Sequence, residues 1–162
     1  MTIAYVGLGS NLDAPAAQIE RALAALARLP ATTLIARSRF YSSPPWGLRD
    51  QPDFVNAVAQ LDTELPATDL MQHLLGIERA AGRDRNGPRW GPRVLDLDLL
   101  LYADLTASES ELQLPHPRMH ERAFVLLPLA ELAPTLEIPG RGPISRLIGQ
   151  LDTGDCVVIE HR

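Results

Sequence analysis

Short apolar runs and helix-spaced apolar stripes take turns along the first two thirds of this chain. Thr2 to Gly9, Thr32 to Ser42, Phe54 to Leu61 and Val94 to Tyr102 are rich in branched, aromatic and leucine side chains and are bounded by turn residues, so they predict four strands. Ile19, Leu23 and Leu26 recur at helical spacing after Asp13 and Pro15, predicting a helix capped by Asp13 and stopped at Pro30. Leu70, Leu74 and Ile77 make a second stripe, opened by Pro66 and ended at Gly82. Pro44-Pro45-Trp46-Gly47 breaks the chain after the second strand.

The resulting order is strand, helix, strand, strand, helix, strand, which is a split βαβ. It predicts an α+β fold: a ferredoxin-like sheet with helices on one face and additional C-terminal elements. Those extras are a loop over Pro115–Glu121, a helix from about Arg122 to Leu132, a short helix near Ile144 and a last strand at Cys156–Ile159. No internal repeat and no linker divides the chain, so residues 1–162 are expected to form a single domain.

The fourth strand changes the picture. Alternation should put Leu95, Leu97, Leu99 and Leu101 on one face and Asp96 and Asp98 on the other, with the aspartate Cα atoms roughly 6.5–7 Å apart. Two carboxylates at that spacing can ligate one hard cation or two adjacent ones, and magnesium prefers such oxygens together with water and substrate phosphate. Just before them stand four arginines, Arg83, Arg85, Arg89 and Arg93. Opposite charges packed this densely rarely serve the fold alone. A polyphosphate bridged to divalent cations would satisfy both halves, so the segment reads as a nucleotide-phosphate site. Its arginine-rich part, Gly82 to Trp90, is expected to close over the bound phosphates.

Composition narrows the class. The formal net charge of -5 over 162 residues argues against a nucleic-acid binder. All fifteen basic residues are arginine, so no Walker A lysine exists and a P-loop is excluded. Any phosphate must be gripped by guanidinium forks. Cys156 is the single cysteine and reads as structural. Neither a secretory signal nor an apolar stretch of membrane-spanning length is visible, so a soluble, cytoplasmic protein with no membrane partner is expected.

Smaller signals are weaker. Gly7-Leu8-Gly9-Ser10-Asn11-Leu12 starts like a dinucleotide fingerprint but has Leu12 in its sixth place, and reads better as a tight strand-to-helix turn. Phe54 and Asn56 share one face of the third strand, an aromatic and an amide suited to stacking on a flat heterocycle and reading its edge. His116, His120 and Arg122 form a further basic cluster.

Together these residues closely resemble the 6-hydroxymethyl-7,8-dihydropterin pyrophosphokinase family of folate biosynthesis. The resemblance runs through Gly9 to Leu12, Phe40-Tyr41 with Pro44-Pro45, and Gln51 to Asn56. It continues through Arg89-Trp90-Gly91-Pro92-Arg93-Val94-Leu95-Asp96-Leu97-Asp98, Pro115 to Met119 and Arg122-Ala123-Phe124. It implies transfer of pyrophosphate from MgATP to the pterin hydroxymethyl group, releasing AMP. By that likeness Asp96 and Asp98 would hold two magnesium ions, and Arg83 and Arg93 would neutralise charge on the transferred group. ATP would also meet Glu78, Arg85, Trp90, Leu99, Leu112, His116 and Arg122. The pterin would stack between Phe54 and Phe124, its edge read by Asn56 and by backbone near Ser43, Pro45 and Trp46. A monomer is expected. Ser43, Trp46 and Phe54 depart from the family's commonest residues, and Glu111 to Gln113 leave part of the adenine pocket open. The same aspartates could instead serve a magnesium-dependent phosphohydrolase or a non-catalytic nucleotide-binding module.

Overall fold

A computed structural model describes residues 1–45, 51–82 and 94–159. The first strand, β1 (Thr2–Ser10), leads into α1 (Pro15–Ala27), then β2 (Thr32–Arg37), β3 (Phe40–Ser43) and β4 (Phe54–Thr63). Next come α2 (Ala67–Ala80) and the aspartate strand β5 (Asp96–Tyr102). A hairpin of β6 (Ala107–Ser108) and β7 (Gln113–Leu114) follows, then a 3-10 turn over Met119–Glu121 and α3 (Ala123–Leu132). The chain ends with the hairpin β8 (Glu137–Ile138) and β9 (Gly142–Pro143), the short α4 (Ile144–Gly149) and β10 (Val157–Ile159). Six strands form the main antiparallel sheet in the order β10-β3-β4-β1-β5, with β2 also paired to β4. This is the α+β architecture the apolar pattern predicts.

The expected strand Thr32 to Ser42 is divided. Its first half, β2, pairs with Ala59 to Thr63 of β4, and its second half, β3, pairs with Phe54 to Asn56. Ser38 makes the break: its N–H donates to the Val58 carbonyl at 2.9 Å, and its Oγ accepts the Val58 N–H at 2.9 Å. One serine thus satisfies both backbone groups of Val58 where the ladder is interrupted. Nor does Asp13 cap α1 with its side chain. Asp13 and Ala14 take positive φ values of 53° and 60°, and Gln18 instead donates to the carbonyls of both.

The sheet separates two cores. The first holds Ala4, Val6, Leu8, Ala57, Ala59 and Leu61 against Ile19, Leu23 and Leu26 of α1 and Leu70 and Leu74 of α2. These are the stripes read from the sequence, and a Leu→Ala change in such a place costs roughly 2–5 kcal/mol. The additional C-terminal elements cover the opposite face, where Tyr5, Val58, Leu100 and Leu101 pack against Met119, Val125, Leu126, Leu129, Ile144 and Leu147.

Leu101 corrects the alternation. It stands in the second core, on the side of the aspartates, while Leu95, Leu97 and Leu99 stay in the first. The register explains this: Tyr5 pairs with Leu101 and Val6 with Leu99, so Leu100 is the extra residue of a β-bulge. Gly7 leaves room for it, since a Cβ there would lie 3.4 Å from a Leu100 methyl.

Glu131 fastens the far end of α3 to β3. Its carboxylate accepts the Arg39 backbone N–H at 2.8 Å, the Arg39 Nε–H at 3.1 Å and the Tyr41 hydroxyl at 2.8 Å. Burial alone would raise its pKa, but these donors hold it below the ordinary carboxylate range. For Tyr41, burial and the bond to Glu131 push the phenol up from 10.0 to about 12. The unfolded chain therefore loses this proton first, and stability should fall as pH rises from about 10 to about 12, by on the order of 2–3 kcal/mol. No lysine titrates in that window, but Tyr5, also raised by burial, acts in the same direction, so the Tyr41 share is isolated by mutation. Denaturant melts should show Tyr41→Phe losing less stability than the parent across it.

Candidate active site

The site is laid out by strand register. Residues paired across antiparallel neighbours point to the same face, so Tyr41 on β3, Asn56 on β4, Gly9 on β1 and Asp96 on β5 form one row. Val58, Gly7 and Asp98 form the next, and Ser43 with Phe54 flank the first on its other side. Sheet geometry places the backbones of Asn56 and Asp96 about 10 Å apart, two strands over. Between them the row carries only glycine.

Gly7 and Gly9 lie within β1, as the strand read over Thr2 to Gly9 predicts, and the connection to α1 follows after Ser10. Their use is the missing side chain. A Cβ on Gly9 would sit 3.4 Å from Asn56 Oδ1 and 3.9 Å from the Phe54 ring, over the open floor. Gly9→Ala should leave the fold intact, since strand glycine is itself unfavourable, yet weaken binding of a flat ligand several-fold. Titration calorimetry beside a thermal melt checks both halves. The glycine pair was legible as a Gly-x-Gly spacing, but only the register shows which face it opens.

The Asn56 amide is 5% exposed, and its Nδ2 donates to Ser43 Oγ at 2.7 Å. Asn11, equally buried, donates from Nδ2 to Gln51 Oε1 and to the Pro52 carbonyl, each at 2.9 Å. That pair of bonds ties the end of β1 to the approach to β4, a link that sequence reasoning missed.

On β5 the two aspartates are half-buried on one face, as alternation predicts. His116 Nε2 lies 3.7 Å from Asp98 Oδ1, beyond hydrogen-bonding reach. Burial, with the cations Arg122 and Arg118 outweighing Asp96, pushes the imidazole down to about 4, so it is neutral at physiological pH. The Arg118 N–H donates to its Nδ1 at 3.3 Å, which leaves the proton on Nε2, the nitrogen nearer Asp98. Arg122 stands at the N-cap of α3 with its guanidinium carbon 5.5 Å from the centre of the Phe124 ring. Its Nε is buried and without a hydrogen-bond partner, a donor left over for a ligand.

Glu78, Leu99 and Leu112 lie on the other side of the sheet. Both leucines belong to the first core, and Glu78 is the last buried residue of the α2 stripe. Pro45 follows the end of β3. Trp46, Arg83, Arg85, Trp90 and Arg93, and with them the expected closing segment, fall outside the described residues.

Two neighbouring carboxylates with only glycine opposite are an oxygen-only donor set that suits magnesium. Among the described residues there is no cluster of three or more metal-ligating side chains. No described helix is long and apolar enough to cross a membrane.

The chain was then compared with known proteins. The family model described as 7,8-dihydro-6-hydroxymethylpterin-pyrophosphokinase matches residues 5–134. The 2-amino-4-hydroxy-6-hydroxymethyldihydropteridine pyrophosphokinase of Methylorubrum extorquens is 47% identical over 160 residues, covering 99% of this chain and all of the relative. The enzyme of that name from Pseudomonas aeruginosa is 53% identical over 135 residues, 83% of each chain. In fold, the chain is similar to a crystal structure of wild-type Plasmodium falciparum HPPK-DHPS. That likeness has a TM-score of 0.69 at 15% identity and covers 93% of this chain but only 43% of that one. From the family match and the two close relatives, the chain belongs to the 7,8-dihydro-6-hydroxymethylpterin pyrophosphokinase family.

Proposed function

We propose that the glycine-floored row from Asn56 to Asp96 is where the two substrates of this reaction meet. The enzyme transfers pyrophosphate from ATP to 6-hydroxymethyl-7,8-dihydropterin, a step in folate biosynthesis. The observation that carries the placement is the row itself. A buried amide at one end can read a heterocycle edge, and a carboxylate pair at the other can hold metal and phosphate.

At the pterin end, Asn56 and Ser43 present the hydrogen-bonding edge, and Pro45 and Trp46 serve the same ring. Phe54 and Phe124 supply aromatic faces for stacking. At the phosphate end, Asp96 and Asp98 hold two magnesium ions. When bound, these neutralise the ATP phosphates and draw charge from the transferred group. Arg83, Arg93, Arg85 and Trp90 serve the same phosphates, and Arg122 offers its unused Nε–H. Neutral His116 presents a donor without adding charge beside the metal ligands. Leu99 and Leu112, with Glu78 behind them, border the place of the adenosine at the β5 edge. The protein's own contribution is positioning and fixed charge, since phosphoryl transfer asks for little covalent chemistry. We further propose that the chain acts as a monomer in the cytoplasm.

Incubation with ATP, magnesium and the pterin, against ATP and magnesium alone, tests the reading. AMP should form only with the pterin present. Phosphate release without it would point to the phosphohydrolase, and binding without turnover to the module.

A further inference from the structure

We infer that Glu78 is a positioning residue for the metal-binding strand, holding the peptide between Asp96 and Asp98 from the opposite side of the sheet. The inference rests on the proposal that these aspartates hold magnesium. Glu78 closes the buried stripe of α2, and at 1% exposure it is among the most deeply buried polar residues described. Its Oε2 accepts the Leu97 N–H at 2.8 Å. That N–H belongs to the peptide linking Asp96 to Leu97, midway along the Asp-Leu-Asp triplet.

The need for such a brace follows from topology. Among the described strands β5 is the last of the sheet and pairs only with β1, so its outer backbone groups have no described strand beside them. Two of those outer groups are met by other means: the Leu97 N–H by the Glu78 carboxylate, and the Leu100 carbonyl by the His116 N–H at 3.0 Å. A charge-assisted bond to a carboxylate is about twice as strong as a neutral one, which suits an edge that must stay in register. The bond also fixes the pleat. With the Leu97 N–H turned outward to α2, Leu97 packs into the first core and the flanking aspartates are directed together to the other face. Carboxylates whose backbone is held this way need less ordering when metal arrives.

Glu78→Met removes the acceptor at similar volume, and Glu78→Gln keeps one oxygen. Mn2+ serves as the probe, read by water-proton relaxation in the presence of a non-hydrolysable ATP analogue. The Met variant should bind Mn2+ about tenfold more weakly, the scale seen when partners behind metal ligands are removed. The Gln variant should recover most of that loss and melt near the parent temperature, while the Met variant, with the Leu97 N–H left unsatisfied, should melt lower but still fold. Equal Mn2+ affinity in the Met variant and the parent would overturn the inference. So would a Gln variant no better than Met, or a loss confined to nucleotide affinity at saturating metal. Asp96→Ala is the control: unchanged Mn2+ binding there would overturn the metal assignment itself, and this inference with it. Should Glu78→Met fail to fold, amide exchange in the parent decides. Leu97 must be as protected as an interior strand amide, and fast exchange at that position overturns the brace.

Discussion

Replacing either Asp96 or Asp98 with alanine should abolish pterin-dependent AMP formation while the melting temperature stays level or rises slightly. The two carboxylates occupy one face of β5 opposite glycines, outside both apolar cores. Removing one of them relieves a mutual repulsion of about 1 kcal/mol or less when solvated. Asparagine at either position keeps the size and one oxygen ligand but not the charge, so weak metal binding and little activity should remain. Activity measured against magnesium concentration, beside a thermal melt, separates this from a merely structural role. A structural role would give near-normal turnover, with any loss following stability. Stripping divalent ions with a chelator should silence the parent in the same way, and restoring magnesium should recover it.

Asn56→Ala should weaken pterin binding by about 1–3 kcal/mol, roughly 5- to 150-fold, while ATP binding hardly changes. The amide is 5% exposed and already donates to Ser43 Oγ. Removing it leaves the serine hydroxyl and the ligand edge without their partner in a place water does not easily reach. Ser43→Ala should cost less, because it removes a bond behind the amide and not the amide itself. Calorimetry with each ligand decides, and equal losses for both would refute the assignment of Asn56 to the pterin.

Much of this arrangement was legible in the sequence, and what escaped shares a cause. The order of strands and helices and the common face of Asp96 and Asp98 followed from periodicity, because core contacts enforce a period of 2 or 3.6 wherever one side is buried. Leu99-Leu100-Leu101 concealed the bulge, since a run of identical apolar residues bears no mark of which one is extra. Ser38 concealed the division between β2 and β3 because its side chain imitates a backbone partner, and residue type does not announce that. Ala14 starts α1 in a left-handed conformation that propensity would assign to glycine or asparagine. The partners of Glu78 and Glu131 were out of sight because each joins residues far apart in the chain, 19 and roughly 90 positions respectively.

On the proposed placement of the two substrates, the sheet's topology would also divide their thermodynamics. β4 is flanked along its length, by β1 on one side and by β2 and then β3 on the other, whereas β5 has a described neighbour on one side only. The heterocycle, placed on β4, would be offered a surface whose backbone has little entropy left to lose, so its affinity could go into discriminating between ring edges. On the proposed placement the nucleotide would meet a border strand held at its outer side by the Glu78 carboxylate and the His116 backbone N–H, and part of its binding energy would go into stiffening that border. Selectivity in this enzyme would then reside with the acceptor's half of the floor, and adjustability with the donor's.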